Sequence, residues 1–349
     1  MRILVAMSGG VDSSVAAALL KEQGHELIGV TFHLWDAQGE QKVGRCCAPE
    51  DRDDARRSCD HLGIAHYVID ERDAFRETVV EPFLDAYLGG VTPAPCVACN
   101  QHVKVTRLVE LADRFGCEQV ATGHYARIVR DEAGMVRLWR GRDRHKDQSY
   151  FLYGVPQHVL ARLVFPLGEL VKDESRAHGS RLGVPNWNKP DSQELCFVPD
   201  GDIGGFIERE RSVNQRGVIR GESGEVLGEH HGIYRYTVGQ RRGLGIGGGP
   251  ARYVLRVLPE RGEVVVGEEG GLLSDAFQVP RADWCGAAPA SPFEAQVRVR
   301  YRHAPARARV TPVANGFSAQ FLEPQRAITP GQAAVVYRDD EVVGGGIIA

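Results

Sequence analysis

The chain has 349 residues, 43% of them hydrophobic and 25% charged, which is enough for about two or three domains with their own cores and excludes a single small module. Forty-two basic against 46 acidic residues give a formal charge of -4, which excludes a uniformly basic nucleic-acid binder, so any RNA contact must use local patches. The 41 glycines exceed the usual share of about 7% and predict many turns and close backbone approaches.

The opening MRILVAMSGG has an apolar run too short for a secretory or spanning segment, and Asp, Glu, Arg or Gly interrupts every later apolar stretch. The expectation is a cytoplasmic protein. Its eight cysteines are too sparse for a disulfide scaffold and point to thiol chemistry. Ile3 to Met7 reads as a buried strand, SGGVDSS as a loop, and Val15 to Gln23 as a helix ending at Gly24. Leu27 to Trp35 is a second strand, Glu50 to Leu62 a helix, His66 to Asp70 a strand and Asp73 to Leu88 another helix; His102 to Phe115 and the strand Gln119 to Thr122 follow. Strands alternating with helices predict a doubly wound parallel α/β sheet.

Beyond residue 200 the texture turns to short Gly-, Arg- and Val-rich segments, and from Gly271 short alternating runs predict a small antiparallel barrel or sandwich. The expected division is therefore 1–200 for a nucleotide-binding catalytic domain, 201–270 for a small central domain and 271–349 for a C-terminal β-barrel-like domain. Charge is uneven. Residues 1–100 hold 9 basic and 16 acidic side chains, whereas Arg235 to Arg256 contain 5 Arg and no acid, and Ser291 to Ile328 contain 6 Arg and 2 Glu. A third basic cluster comprises Arg137, Arg140, Arg142, Arg144 and Lys146. One such patch reads as a solvated face; three suggest an extended polyanion footprint.

Ser8-Gly9-Gly10-Val11-Asp12-Ser13-Ser14 lies between strand and helix, where backbone N–H groups and the helix dipole favour an anion. Two glycines admit phosphate oxygens, the serines donate, and Asp12 suits Mg²⁺ or water between phosphates. GxxxxGK[ST] is absent, so cleavage between the α- and β-phosphates is favoured over γ-phosphate transfer. Gly243, Gly245 and Gly248 satisfy GxGxxG, but Arg241 and Arg242 precede them and Pro250 follows where a helix should propagate, which rejects a dinucleotide site.

SGGVDSS resembles the PP-loop of ATP pyrophosphatases. With CCAPEDRDDARRSCDHLGI, TPAPCVACNQHVK, ATGHYAR, KDQSYFLY, DSQELCF, YTVGQRRGLGIGG, VRYRH and PGQAAVVY in order, the chain resembles the tRNA-specific 2-thiouridylase family almost throughout. The resemblance implies an enzyme that uses ATP and Mg²⁺ to adenylate and thiolate C2 of wobble uridine 34 in tRNA, releasing AMP and pyrophosphate. It implies ATP contacts from Ala6, Met7, Ser8, Gly9, Gly10, Val11, Asp12 and Ser13, with Phe32 on adenine and Gly123 against the nucleotide. It further implies tRNA contacts from Ala94, Pro95, Cys96, His124, Lys146, Asp147, Gln148, Arg300, Tyr301 and Gln332.

By the same resemblance Cys99 is the nucleophile and Cys196 carries the persulfide sulfur, with a persulfide donor or relay protein as partner. Pro93 and Pro95 stiffen the approach to Cys96, and the N–H groups after Cys99 favour a thiolate. Many family members have Asp where this chain has Cys96. That departure leaves three readings open: a persulfide and disulfide cycle, a 4Fe-4S cluster held by Cys96, Cys99 and Cys196, and a Cys96–Cys99 redox pair. Cys47, Cys59, Cys117 and Cys285 read as small buried hydrophobes. The competing function is another PP-loop ligase or amidotransferase acting on a small molecule; a non-catalytic RNA-binding protein is the third.

Overall fold

The computed structural model describes residues 1–36, 49–191, 195–198, 201–247 and 249–349. In chain order the first elements are β1 (Arg2–Ala6), α1 (Val11–Glu22), β2 (Glu26–His33), α2 (Pro49–Leu62), β3 (Ala65–Asp70), α3 (Arg72–Phe75), α4 (Glu81–Leu88), α5 (Pro95–Ala98), α6 (Val105–Arg114) and β4 (Gln119–Ala121). There follow β5 (Ala126–Arg130), β6 (Val136–Arg140), α7 (Gln157–Leu160), β7 (Leu163–Val164), α8 (Lys172–Arg181), α9 (Ile203–Arg211), β8 (Gly217–Gly221) and β9 (Val226–His230). The remainder is β-rich: β10 (Tyr253–Leu258), β11 (Glu263–Gly267), β12 (Leu273–Val279), β13 (Ala282–Trp284), β14 (Phe293–Arg298), β15 (Ala306–Pro312), β16 (Phe317–Arg326), β17 (Ala333–Arg338) and β18 (Glu341–Ile347).

The chain forms two compact units, one of residues 1–79, 96–201 and 340–342, the other of 80–95, 202–339 and 343–349. The first is built on the expected parallel sheet, in the order β3-β2-β1-β4-β7. Ile3, Val5 and Met7 join Ala17, Leu20, Leu27, Ala55 and Cys59 in one core cluster, and Val11, Val15 and Ala16 pack with Tyr125 and Leu167 in another. Because β1 lies between β2 and β4, the strand order reverses at the β1/β4 pair, the place where open α/β sheets bind ligands at their carboxyl ends. The Ser8–Gly10 turn follows β1 and Thr122–His124 follows β4, so both predicted nucleotide segments share that edge.

The second unit contains the sheet β10-β11-β8-β9 and the order β12-β16-β15-β14-β17-β18, with β13 pairing on β18. Phe277, Val297, Val310, Phe317, Phe321 and Val336 form the core of the larger sheet, matching the short alternating runs. Gly243 and Gly245, with φ of 73° and 69°, lie outside any helix, consistent with rejection of a dinucleotide loop; Gly248 lies outside the described residues.

Three boundaries differ from the periodicity reading. The first helix begins at Val11, because extended Gly10 ends the turn and Asp12, Ser13 and Ser14 enter the first helical turn. The helix expected over Asp73–Leu88 widens to a π turn at Arg76–Val80, just before Pro82, whose missing N–H and ring disfavour regular helical bonding. Cys99–Lys104 is likewise a π turn, so the regular helix starts at Val105.

Candidate nucleotide and sulfur-transfer site

Backbone conformation dictates the loop. Gly9 has φ of 75°, and a Cβ built there would stand 2.0 Å from the Asp51 carbonyl oxygen, so only glycine fits. Gly10 precedes α1 with no side-chain cap, which leaves the first N–H groups of the helix to an outside acceptor. Ser13 Oγ accepts from the Ser8 N–H at 3.1 Å and donates to the Gly10 carbonyl at 3.1 Å, so this serine braces the turn. Gly123 closes the opposite side: a Cβ there would lie 2.7 Å from both Asp12 C and Ser13 N. Met7 and Val11 are buried, Ala6 is half-buried, and Phe32 is half-buried on β2 opposite Ile69.

Asp12 occupies the first turn of α1, where its Oδ1 accepts from Tyr125 Oη at 3.0 Å and from Lys172 Nζ at 2.7 Å. Lys172 also meets Asp191 at 2.8 Å, and Asp191 binds Lys146 at 2.6 Å and Arg176 at 3.2 Å. Burial opposes ionisation of Asp191, but Lys146 and Lys172 outweigh it and hold the carboxyl below its usual range. On the other side of the loop, Lys189 pairs with Asp51 and Asp54 while its Nζ lies 3.3 Å from the Gly9 carbonyl oxygen. Cationic side chains thus reach the loop from α8 and the segment after it, although the loop itself contains none. Sequence reasoning gave no role to Tyr125, Lys172, Asn186, Lys189 and Asp191; Tyr125 lies within ATGHYAR, Asp191 opens DSQELCF and Asn186 and Lys189 shortly precede it, whereas Lys172 carried no such signal.

The thiols occupy distinct settings. Cys96 is exposed, Cys99 is buried and Cys196 is half-buried. Asn100 Nδ2 donates to the Cys96 carbonyl at 2.9 Å, fastening the turn between the first two. α3 packs against Cys99–Lys104, and Phe197, next to Cys196, meets Phe75 of α3 edge-on at 5.7 Å. The segments carrying Cys99 and Cys196 therefore share α3 as a neighbour. Among the described residues no group of three or more His, Cys, Asp or Glu side chains is arranged to hold a metal. Cys59, Cys117 and Cys285 are buried as expected, and burial pushes the Cys59 thiol up to about 12; Cys47 lies outside the described residues.

The residues expected to meet RNA fall in both units. His124 bonds through Nδ1 to Thr122 Oγ1 at 2.7 Å, and burial with the Lys104 charge pushes its imidazole down to about 4, so it is neutral near pH 7. Ala94 and Pro95 are half-buried. Asp147 is 2% exposed and accepts from the Gly141 and Ser149 N–H groups, while Gln148 accepts from Tyr125 N–H. In the basic cluster before them, Arg137, Arg142, Arg144 and Lys146 each meet a carboxylate, of Asp131, Glu174, Asp340 and Asp191 respectively, which compensates most of the charge read as a polyanion patch. In the second unit Arg300 Nη2 donates to the Val238 carbonyl at 2.9 Å and to Thr329 Oγ1, the Arg298 guanidinium lies 5.0 Å from the Tyr301 ring centre, and Gln332 Nε2 donates to the Thr92 and Pro93 carbonyls.

Residues 1–200 match the family model described as tRNA methyl transferase HUP domain, 204–268 its PRC-barrel domain, and 274–348 an aminomethyltransferase β-barrel domain. The tRNA-specific 2-thiouridylase MnmA of Sorangium cellulosum is 51% identical over 99% of this chain and 92% of its own length. The proteins of that name from Geobacter metallireducens and Syntrophotalea carbinolica are each 48% identical over 99% of this chain, and over 96% and 98% of their own lengths. This chain belongs to the tRNA-specific 2-thiouridylase family. The family's HUP-domain match contains the glycine loop, the lysines around it and the thiols Cys96, Cys99 and Cys196.

Proposed function

We propose that the protein is an ATP-dependent tRNA sulfurtransferase of the cytoplasm that converts C2 of uridine 34 to its thio form. The observation that carries the ATP half is the uncapped turn Ser8–Gly10 at the β1/β4 reversal, with Gly123 against the start of α1. Family membership and the shared α3 neighbour of the two thiol segments support the sulfur half.

A pyrimidine carbonyl oxygen leaves poorly, so activation comes first: the O2 atom attacks the α-phosphorus of ATP and pyrophosphate departs. Amides of Gly9 to Ser13 receive the departing diphosphate, with Phe32 beside adenine. Asp12 suits Mg²⁺, since its carboxylate is half-exposed at the helix start; the ion would offset phosphate charge there. Cys99 thiolate then attacks the Cys196 sulfur of its persulfide, forming a Cys99–Cys196 disulfide and releasing hydrosulfide. Hydrosulfide adds at C2 and AMP leaves with the former O2. An external thiol supplies the two electrons that restore the pair, and a persulfide protein reloads Cys196.

Two alternatives remain distinguishable by experiment. Purified protein with ATP, Mg²⁺, a persulfide source and tRNA should yield 2-thiouridine by nucleoside mass analysis. Cys99→Ser should abolish it while sparing tRNA affinity; unchanged product would falsify the nucleophile. Thiolation by protein purified anaerobically and shown free of iron would eliminate a cluster held by Cys96, Cys99 and Cys196. ATP turnover with a small acceptor and no thiolated tRNA would favour the ligase reading.

A further inference from the structure

The Gly9–Gly10 peptide is the hinge of the anion-binding turn, and it is flanked by the two least restricted residues in the loop. Its carbonyl oxygen accepts from Asn186 Nδ2 at 2.9 Å and from Lys189 Nζ at 3.3 Å. In a trans peptide the C=O and the following N–H point in opposite directions. Fastening the Gly9 carbonyl on the Asn186 and Lys189 side therefore turns the Gly10 N–H to the other side. Among the described residues neither the Gly9 nor the Gly10 N–H donates to a protein acceptor.

The two donors are themselves held. Ser58 Oγ donates to Asn186 Oδ1 at 3.4 Å and lies 3.1 Å from Ser14 Oγ, which sets the Asn186 amide with its nitrogen toward Gly9. Lys189 is fixed by Asp51 and, at 2.5 Å, by Asp54; burial opposes its charge, but the two carboxylates outweigh it and keep the ammonium protonated. The Asp51 backbone fills the space beside Gly9. Glycine on both sides makes rotation of this peptide inexpensive, and a rotated peptide would present a carbonyl oxygen to a polyphosphate.

We infer that Asn186 and Lys189 are positioning residues for ATP, locking the Gly9–Gly10 peptide so that its N–H faces the diphosphate. The inference rests on the ATP reading above and adds residues remote from the loop in sequence. Neither side chain needs to touch the nucleotide.

The test uses the full-length protein, with thermal melts to verify folding, and titrates ATP, inorganic pyrophosphate and adenosine separately. Asn186→Asp preserves shape but sets an acceptor against the Gly9 carbonyl, and Asn186→Ala removes the donor. Both should weaken ATP and pyrophosphate binding by about tenfold or more, the worth of one hydrogen bond to a charged group, while adenosine affinity stays within about twofold. Lys189→Arg should retain most pyrophosphate affinity and Lys189→Met should not. Folded Asn186 variants that bind pyrophosphate like the parent would overturn the inference, as would equal losses for adenosine and pyrophosphate. A parent that binds ATP and pyrophosphate but makes no 2-thiouridine would sink the sulfur-transfer reading and leave this one standing.

Discussion

Tyr125 Oη donates to Asp12 Oδ1 at 3.0 Å, tying the residue that follows the Gly123-His124 turn to the first turn of α1. Burial, and next the Asp12 charge, raise the phenol above its ordinary range, so it remains a donor at every pH at which the protein is studied. Tyr125→Phe keeps the buried ring and deletes the hydroxyl, and with it the bond to Asp12. The expected result is a stability loss of about 1 kcal/mol, with Asp12 still held by Lys172. Thermal melting combined with the KM for ATP measures both effects; a variant unchanged in both would show that Lys172 alone positions the carboxylate.

The parallel sheet was legible because Ile3–Met7, Leu27–Trp35 and Gln119–Thr122 are compact apolar runs separated by helical spacing, and the glycine loop was legible from its place after the first of them. The cationic ring around the loop was not. Lys172 meets Asp12 across 160 positions and Lys189 meets the Gly9 carbonyl across 180, distances at which local periodicity carries no information. Patterning also overstated the basic cluster at Arg137–Lys146, because its carboxylate partners Glu174, Asp191 and Asp340 lie well downstream. The π turns escaped because they are only five and six residues long and sit within otherwise helical stretches, too short to alter the apolar pattern read over a longer window.

His124 provides a pH signature. Its imidazole titrates near 4 in the fold against an ordinary 6.5, because burial and then Lys104 disfavour the cation. Between those values the unfolded chain binds more protons than the native state. Stability is thus intact above about pH 6.5 and declines as the pH falls toward 4. His124→Asn retains a polar partner for Thr122 and removes the titration. The stability gap between parent and variant should move in favour of the variant, on the order of 2 kcal/mol between pH 7 and 4, in denaturant titrations. Comparing the two cancels His66 and His230, which burial lowers in both proteins. A constant gap would refute the depressed, neutral imidazole.

Arg300 combines an expected RNA contact with an internal tie, since its Nη2 donates to Val238 and Thr329. Lysine retains the charge but not the forked geometry. Arg300→Ala should reduce the slope of log tRNA affinity against log salt by about one, whereas Arg300→Lys should preserve the slope and lower the melting temperature. Loss of thermal stability in both variants with an unaltered slope would assign Arg300 to the fold alone.

Gln332 presents a comparable choice, and its partners come just before Cys96 in the chain. Its Nε2 donates to the carbonyls of Thr92 at 2.9 Å and Pro93 at 3.0 Å, and the Thr92 N–H returns a bond to the Pro330 carbonyl at 3.3 Å. A Cβ at Gly331 would stand 2.7 Å from the Thr92 carbonyl oxygen, so the two stretches are in close contact. Thr92 and Pro93 lead directly into Ala94-Pro95-Cys96, the segment expected to meet the target base. Gln332→Glu replaces a donor by an acceptor facing two carbonyls and should loosen that approach more than Gln332→Ala, which merely deletes the bonds. The expected outcome is a fall of about tenfold in single-turnover thiolation for Gln332→Glu and less for Gln332→Ala, with ATP affinity unchanged in both. Equal effects of the two variants on tRNA affinity, with thiolation of bound tRNA at the parental rate, would mean that the amide serves RNA binding and not the order of the 92–96 segment.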